Sequence, residues 1–451
     1  MVTKSHLSRL GLFDARVPRY TSYPTAPHFS DTVTAQTHLN WIESIKPGSE
    51  ISLYIHVPFC RRLCWFCACR TQGTKSDAPV AAYLETLKAE LALLAAHLPN
   101  GVSLSRLHWG GGTPTLLTPE MMRGLADAVA AVAPMAKQGE FSVEIDPNEI
   151  DAARLDALAA AGMNRASIGV QDFDPEIQET IGRQQSFEVT RDAIDMIRAR
   201  GINSLNADIL FGLPHQSQQR MTESVQKLLA LSPDRVALYG YAHVPWMARR
   251  QSLIPTDALP GPEQRLALFD TARKLFFWDG YEEIGIDHFA RPEDGLALAQ
   301  RAGSLRRNFQ GYTDDTSEVL IGVGASAISK FPQGYTQNAP ATSKHTGAIR
   351  ESRFSSSRGH VFTGEDKMRA RLIEAVMCDF RIDTGEISAD FGVDPSHLRR
   401  LLDATNRAFD NLLKVNDTGL VVPEDMRPLA RLIARSFDSY AMNEAGHSSA
   451  I

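Results

Sequence analysis

The chain has 451 residues, of which 43% are hydrophobic and 22% are charged, and its formal net charge is −6. This length allows one large and one smaller domain, and the negative charge argues against a general nucleic-acid or anionic-membrane surface. No apolar run reaches the roughly 20 residues of a membrane span, and the N-terminus lacks the apolar segment of a signal peptide. We therefore expect a cytoplasmic protein.

Residues 1–50 are rich in proline, threonine and tyrosine and show neither helical nor strand periodicity. By itself this composition indicates an extended arm on the surface. Because its Arg and Tyr side chains could hold an anion, we expect the arm to cover an active site.

Six β-strands, each followed by a helical pattern, are predicted next. Apolar, β-branched runs indicate buried strands, and their regular alternation with helices predicts parallel strands with right-handed crossovers. The predicted strands are residues 51–57, 104–109, 141–145, 165–170, 204–210 and 235–241.

Polar residues lie where these strands end, which is the edge at which barrel enzymes build their sites. The fold class is therefore α/β, and six units predict an incomplete, open (β/α)6 TIM-like barrel over residues 51–330. Residues 331–362 are rich in Gly, Ser and Thr and predict a connection. Residues 363–451 predict a smaller, mainly helical C-terminal domain.

Four of the five cysteines, Cys60, Cys64, Cys67 and Cys69, follow the first predicted strand. Such a dense group of thiols is typical of a site for zinc or for an iron–sulfur cluster. Zinc sites usually pair two separated ligand groups, and the fifth cysteine, Cys378, stands alone in a helical pattern, so an iron–sulfur cluster is favoured. Three ligands spaced C-x3-C-x2-C leave one iron open. Cys69 is then surplus, and it donates hydrogen, tunes the loop or simply packs.

A glycine turn, Gly110–Thr113, ends the second predicted strand. It lacks the Lys and Ser/Thr of a Walker loop, but glycine allows a ligand to approach the backbone closely, so the turn suits an amine and a carboxylate. Together with Glu144, Asp208 and Arg183 it would suit a small zwitterion. Each of these charges taken alone is more typical of a solvated or salt-bridged side chain. Likewise, the spacing of the histidines makes none of them a metal ligand.

The cysteine spacing, with Phe66 before the third cysteine, resembles the radical S-adenosylmethionine (SAM) superfamily. From about Arg16 to the last helix, the chain resembles the family of oxygen-independent coproporphyrinogen III oxidases. The segments that carry this resemblance are RYTSYPT, LYIHVPFC with CWFCAC, HWGGGTPT, VEIDP, GVQDF, FGLP, YAHVP, DHFARP, RNFQGYT and GASAIS.

This resemblance implies a [4Fe–4S] cluster held by Cys60, Cys64 and Cys67, and two molecules of SAM. Cys69 and His56 are the candidate catalytic residues. The positions that match the SAM contacts of the family are Tyr54, Phe66, Gly111, Gly112, Thr113, Glu144, Gln171, Arg183, Asp208, Ala242 and Ile328.

The implied reaction belongs to haem biosynthesis. A 5′-deoxyadenosyl radical takes hydrogen from a propionate side chain of coproporphyrinogen III, and loss of carbon dioxide and one electron leaves a vinyl group. Two such steps give protoporphyrinogen IX without oxygen. We expect a monomer that receives electrons from an unidentified donor. The candidates for holding the propionates are Arg16, Arg19, Arg61, Arg62 and Arg70.

One alternative is a haem chaperone-like radical SAM protein, which binds haem without processing a porphyrinogen. Such proteins look similar around the three cysteines but lack the Cys69 position and the RYTSYPT segment, so both features point to the oxidase. A purely structural metal-binding module is disfavoured by the six units with polar strand ends.

Overall fold

The computed structural model describes residues 3–441 and 450–451. The remaining residues, 1–2 of the predicted arm and 442–449 of the predicted C-terminal domain, lie outside the described ranges. No helix in the described part of the chain is long and apolar enough to cross a membrane.

The described residues form fifteen α-helices, several 3-10 turns and nineteen strands. The α-helices are α1 Lys4–Arg9, α2 Ala35–Glu43, α3 Ala78–His97, α4 Pro119–Val132, α5 Ala152–Ala160, α6 Pro175–Thr180, α7 Phe187–Arg198, α8 Gln218–Ala230, α9 Pro262–Trp278, α10 Gly295–Ala302, α11 Thr342–Arg350, α12 Asp366–Asp379, α13 Thr384–Phe391, α14 Pro395–Ala408 and α15 Ala430–Arg435. The strands are β1 Glu50–Val57, β2 Phe59–Cys60, β3 Gln72–Gly73, β4 Ser103–Gly111, β5 Met135–Ile145, β6 Arg165–Gln171, β7 Ser204–Phe211, β8 Arg235–Gly240, β9 Glu282–Ile284, β10 His288–Ala290, β11 Arg306–Asn308, β12 Gly311–Thr313, β13 Leu320–Val323, β14 Ile328–Phe331, β15 Gly334–Asn338, β16 Ser356–Val361, β17 Arg381–Asp383, β18 Lys414–Asn416 and β19 Gly419–Val421.

The chain divides into two compact units. The central unit consists of Ser30–Leu259 and Ser317–Val361, and the terminal unit consists of Met1–Phe29, Pro260–Thr316 and Phe362–Ile451.

The central unit is built on a mixed sheet with the strand order β16-β15-β14-β13-β1-β4-β5-β6-β7-β8. Strands β13, β1 and β4–β8 are mutually parallel, and β14–β16 extend the sheet in antiparallel fashion. Seven of the eight residues of β1 are at least partly buried, as expected for a parallel strand covered on both faces. The six predicted strands are confirmed as β1 and β4–β8. The described residues contain no closed barrel.

Because β1 and β4–β8 are parallel, their carboxyl ends lie at one edge of the sheet, and helices connect these strands. Helix α7 shows why these segments are helical: Ser186 caps its first turn, and its buried residues Thr190, Ala193, Ile194 and Ile197 follow helical spacing. The same edge carries the cysteine loop and the glycine turn.

The terminal unit is mainly helical. Its core includes Leu372, Val376, Leu402, Ile433 and Phe437, which are fully or almost fully buried. A three-stranded sheet, β17-β19-β18, accompanies these helices.

The predicted boundaries differ from this division. Residues 331–362 do not form a simple connection, because they contain β15, α11 and β16, and most of their few large apolar side chains, such as Tyr335, Ile349 and Phe354, are buried. Gly, Ser and Thr are compatible with a sheet extension when neighbouring strands satisfy the backbone hydrogen bonds.

The segment 1–50 is not one extended arm, since it contains α1 and α2 and is divided between the two units. Its first part packs into the terminal unit: Val17, Tyr20 and Tyr23 are buried, and the Tyr20 hydroxyl donates to Asp438 at 2.9 Å. That the arm covers the active site stays a prediction.

Candidate active site

The cysteine loop leaves the carboxyl end of β1 and is closed at its base by backbone hydrogen bonds. Strands β2 and β3 pair in parallel, and the amide of Thr74 donates to the Cys60 carbonyl at 3.0 Å. At its far end the amide of Trp65 donates to the carbonyl of Ile181 at 2.9 Å. The loop is therefore held at both its base and its tip.

The four thiols of this loop have different environments. Cys60, Cys64 and Cys67 are partly buried and Cys69 is exposed. Burial raises the pKa of Cys60 to about 11, whereas a hydrogen bond from Cys69 lowers the pKa of Cys67 to about 6. The same hydrogen bond and the negative charge of Cys67 raise the pKa of Cys69. The lowered pKa favours the thiolate form of Cys67, which is the form that binds a metal.

This donor set fits an iron–sulfur cluster. Three thiols spaced as Cys60, Cys64 and Cys67 can ligate three irons of one cubane. No three His, Cys, Asp or Glu side chains within residues 3–441 and 450–451 already converge as a metal site. The assignment of the ligands therefore depends on the chemistry and spacing of the thiols.

The glycine turn at the end of β4 packs directly against the start of the cysteine loop. The amides of Gly112 and Thr113 each donate to β1–β2 backbone carbonyls at 2.8 Å. A Cβ at Gly112 would lie 2.5 Å from the carbonyl oxygen of Phe59, and one at Gly111, where φ is +112°, would lie 2.5 Å from Nδ1 of His56. Only glycine allows this approach.

Glu144, at the end of β5, joins the glycine turn to a histidine. One of its oxygens accepts from the amide of Gly111 at 2.9 Å and the other lies 3.3 Å from Nε2 of His108. Burial opposes its ionisation, but these two partners outweigh burial and hold the pKa of Glu144 below its usual value.

Tyr54 and His56 project from β1 toward the same region. The Tyr54 hydroxyl lies 3.0 Å from Nδ1 of His56, whose Nε2 lies 3.4 Å from the carbonyl oxygen of Arg70. Burial lowers the pKa of His56, which favours the neutral ring. A neutral ring with hydrogen on Nε2 would donate to Arg70 and accept from Tyr54.

Arg183 connects the cysteine loop to the ends of β5 and β6. Its Nη1 lies 3.5 Å from Sγ of Cys64 and 3.4 Å from Asp146, and its Nη2 donates to the carbonyl of Gly169 at 2.9 Å. Its Nε is buried and has no hydrogen-bond partner in the described residues. An unsatisfied buried guanidinium N–H beside the loop fits the carboxylate of a ligand.

The side chain of Asp208, on β7, accepts a hydrogen bond from the side-chain amide of Asn206 at 2.9 Å. Burial and the negative charge of Glu144 raise the pKa of Asp208 to about 6. Gln171, the last residue of β6, has a φ of +69°, a left-handed conformation that is uncommon for residues other than glycine.

Phe66 and Ala242 are joined by a residue that sequence reasoning missed. The Gln251 side chain is 1% exposed and donates through Nε2 to the carbonyls of Phe66 at 2.6 Å and Ala242 at 3.1 Å. Its oxygen accepts from the amide of Val244 at 2.6 Å. No local pattern distinguishes Gln251 from the other glutamines. Its position could be recognised only once the loops were placed together.

Ile328 begins β14 and lies beside β13. A Cβ at Gly322 would be 2.6 Å from the Ile328 carbonyl oxygen, and Gly322 is the register partner of Tyr54. All of the predicted metal, SAM-contacting and catalytic residues belong to the central unit.

The five arginines predicted to hold propionates divide between the units. Arg61, Arg62 and Arg70 belong to the cysteine loop of the central unit, where Arg61 pairs with Asp77. Arg16 and Arg19 belong to the terminal unit.

Residues 54–228 match the radical SAM superfamily. An oxygen-independent coproporphyrinogen III oxidase of Paracoccus denitrificans is 66% identical over 451 residues, covering 100% of both chains. The enzyme of the same name from Cereibacter sphaeroides strain ATCC 17023 is 61% identical over 98% of both chains. A solved coproporphyrinogen III oxidase from Escherichia coli, described as a radical SAM enzyme, superimposes with a TM-score of 0.89 at 35% identity, covering 95% of this chain and 100% of that one.

Proposed function

Because this chain belongs to the family of oxygen-independent coproporphyrinogen III oxidases within the radical SAM superfamily, we infer that it converts coproporphyrinogen III to protoporphyrinogen IX without oxygen. The reaction removes carbon dioxide and hydrogen from two propionate side chains and leaves two vinyl groups. The observation that carries this conclusion is the full-length match to a curated relative at 66% identity. The haem chaperone alternative is not favoured, since the relatives described above bear the name of the oxidase.

The cofactors of the superfamily are a [4Fe–4S] cluster and SAM. When bound, they supply the hydrogen-atom abstraction that no protein side chain can perform alone. Cys60, Cys64 and Cys67 would hold the cluster. We propose that two molecules of SAM bind. We also propose that the parallel strands curve into the open (β/α)6 barrel predicted from the sequence.

The chain's own residues would orient SAM through charge. SAM carries an ammonium, a sulfonium and a carboxylate. The unsatisfied Nε of Arg183 suits the carboxylate, while the carboxylates of Glu144 and Asp208 suit the positive groups. The glycine turn would let the ligand reach the backbone at Gly111 and Gly112. The other proposed contacts are Tyr54, Phe66, Thr113, Gln171, Ala242 and Ile328.

The two candidate catalytic residues keep distinct proposed roles. His56 lies within hydrogen-bond distance of the Tyr54 hydroxyl and the Arg70 carbonyl, and it would orient these two groups. The backbone amide of Cys69 donates to Sγ of Cys67 at 3.4 Å, and the exposed thiol of Cys69 beside the proposed ligands is the candidate hydrogen donor. Replacing Cys69 with Ala tests this role: we expect the cluster to be retained and turnover to be lost, whereas full turnover would make the thiol a bystander.

The function is tested by anaerobic reconstitution with iron and sulfide, followed by incubation with a reductant, SAM and coproporphyrinogen III. We expect protoporphyrinogen IX and two molecules of carbon dioxide per substrate. Tight haem binding without product would contradict the proposal and would support the chaperone instead. In this assay a chemical reductant takes the place of the unidentified electron donor. On gel filtration we expect the protein to elute as a monomer.

A further inference from the structure

Residues 244–253 of the central unit, hereafter the 244–253 loop, expose large apolar side chains. Trp246 is 56% exposed, Met247 68% and Leu253 57%. Three such residues in one short segment are unusual on a protein surface and indicate a surface that binds something.

The 244–253 loop is attached to the cysteine loop. Nη2 of Arg250 donates to the hydroxyl of Thr71 at 3.0 Å and lies 3.4 Å from the carbonyl oxygen of Cys69. Gln251, which is buried, donates to the Phe66 carbonyl at 2.6 Å. The exposed side chains therefore stand on a backbone that is anchored to the candidate active site.

Positive charge surrounds the same place. Arg249 belongs to the 244–253 loop, and Arg70 lies between Cys69 and Thr71, the two cysteine-loop residues that Arg250 contacts; Arg249 and Arg70 are both exposed. Neither of these two guanidinium groups forms an ion pair with a residue that the structure describes. Arg250 adds a third charge to this region.

An apolar patch edged by guanidinium groups matches the chemistry of one class of ligand. Coproporphyrinogen III combines an apolar tetrapyrrole with four carboxylates. Aromatic and thioether side chains contribute large apolar contacts, and arginine binds carboxylates through a planar pair of N–H groups.

We propose that the 244–253 loop is a binding surface for the tetrapyrrole substrate, with Trp246 and Met247 against the macrocycle and Arg249 on a propionate carboxylate. This inference rests on the proposed function and deepens it, because it assigns the substrate to residues outside the cysteine, glycine and SAM-contacting set. A protein partner, such as an electron donor, is the competing occupant of an exposed apolar surface.

The test measures binding separately from turnover. The reconstituted protein is titrated into coproporphyrin III, the fluorescent oxidised form of the substrate, and the emission anisotropy gives Kd. In the double variant Trp246→Ala/Met247→Ala we expect Kd to rise about tenfold or more, as for truncated aromatic anchors. Trp278→Ala is the matched control, since Trp278 is 88% exposed in the terminal unit, and its Kd should stay at the wild-type value.

A second variant isolates the charge. Arg249→Gln should raise Kd at low ionic strength, and the difference from wild type should shrink as salt is added, because screening weakens an exposed carboxylate–guanidinium contact. A salt-independent difference would contradict a carboxylate contact.

A wild-type Kd in the double variant would overturn the proposal. If turnover of that variant were also lost only when a protein reductant replaces dithionite, the loop would be assigned to an electron donor instead. The proposed function fails separately, when the wild-type protein with dithionite yields no protoporphyrinogen IX.

Discussion

Replacing Gln251 with Leu removes a buried amide that ties two loops together. The side chain makes three hydrogen bonds: it donates to the Phe66 and Ala242 carbonyls and accepts from the Val244 amide. At about 1 kcal/mol net for each hydrogen bond, the substitution should favour local opening by about 3 kcal/mol. Since 1.4 kcal/mol is a factor of ten, opening should become roughly a hundredfold more frequent.

Hydrogen exchange measured by mass spectrometry reports this opening directly. The amide of Val244 loses its acceptor, so exchange in peptides spanning 242–253 should accelerate toward a hundredfold, within the range of local unfolding. Helix α11 lies in the same unit and should exchange at the wild-type rate. Because Phe66 and Ala242 are proposed SAM contacts, KM for SAM should also rise while the cluster content is unchanged.

Gln219→Leu is the matched control for this experiment. Gln219 is exposed on α8 and its amide donates only to Glu223 at 3.0 Å, so the same chemical change should leave exchange unaffected. If Gln251→Leu also left exchange around Val244 unchanged, Gln251 would not hold the loops together and the reasoning would be refuted.

Three further predictions concern the cluster, the glycine turn and a buried carboxylate. Cys64→Ala should abolish the visible absorption of the reconstituted cluster, whereas Cys378→Ala, a buried thiol of the terminal unit, should retain it; absorption in the first variant would show that the ligand assignment is wrong. Gly112→Ala forces a Cβ to within 2.5 Å of a neighbouring backbone oxygen and should lower the free energy of unfolding, measured by heat or denaturant, by about 1–3 kcal/mol. Gly347→Ala is the control: its Cβ would have nothing within 4 Å, so this substitution should be neutral or stabilising. Equal effects of the two substitutions would contradict the close packing of the turn. Asp208 has a pKa of about 6, above its unfolded value near 3.8, so the folded state binds the proton more tightly and the stability of the fold falls as pH rises from about 4 to 6. Asp208→Asn should therefore raise Tm at pH 8 but not at pH 4. An equal gain in Tm at both pH values would refute the pKa assignment.

The sequence by itself determined the parts of this protein that depend on local pattern. Strands β1 and β4–β8 were predictable because continuous apolar, β-branched runs are buried on both faces of a parallel sheet. The spacing of Cys60, Cys64 and Cys67 indicated a cluster because three thiols within one loop can reach one metal group. The glycine turn was recognisable because three successive glycines, Gly110–Gly112, end the second predicted strand.

The tertiary structure alone decided the features that depend on distant partners. Gln251 and Phe66 are 185 residues apart in sequence, and nothing in either segment announces their hydrogen bond. Residues 331–362 resemble a connection in composition, yet they extend the sheet because β14 offers an edge on which β15 pairs and β15 in turn pairs with β16. Likewise, the pKa of Asp208 is raised because folding buries it close to Glu144. Periodicity and spacing are properties of a short segment, whereas burial, hydrogen-bond partners and electrostatic neighbours exist only after segments far apart in the chain have packed together.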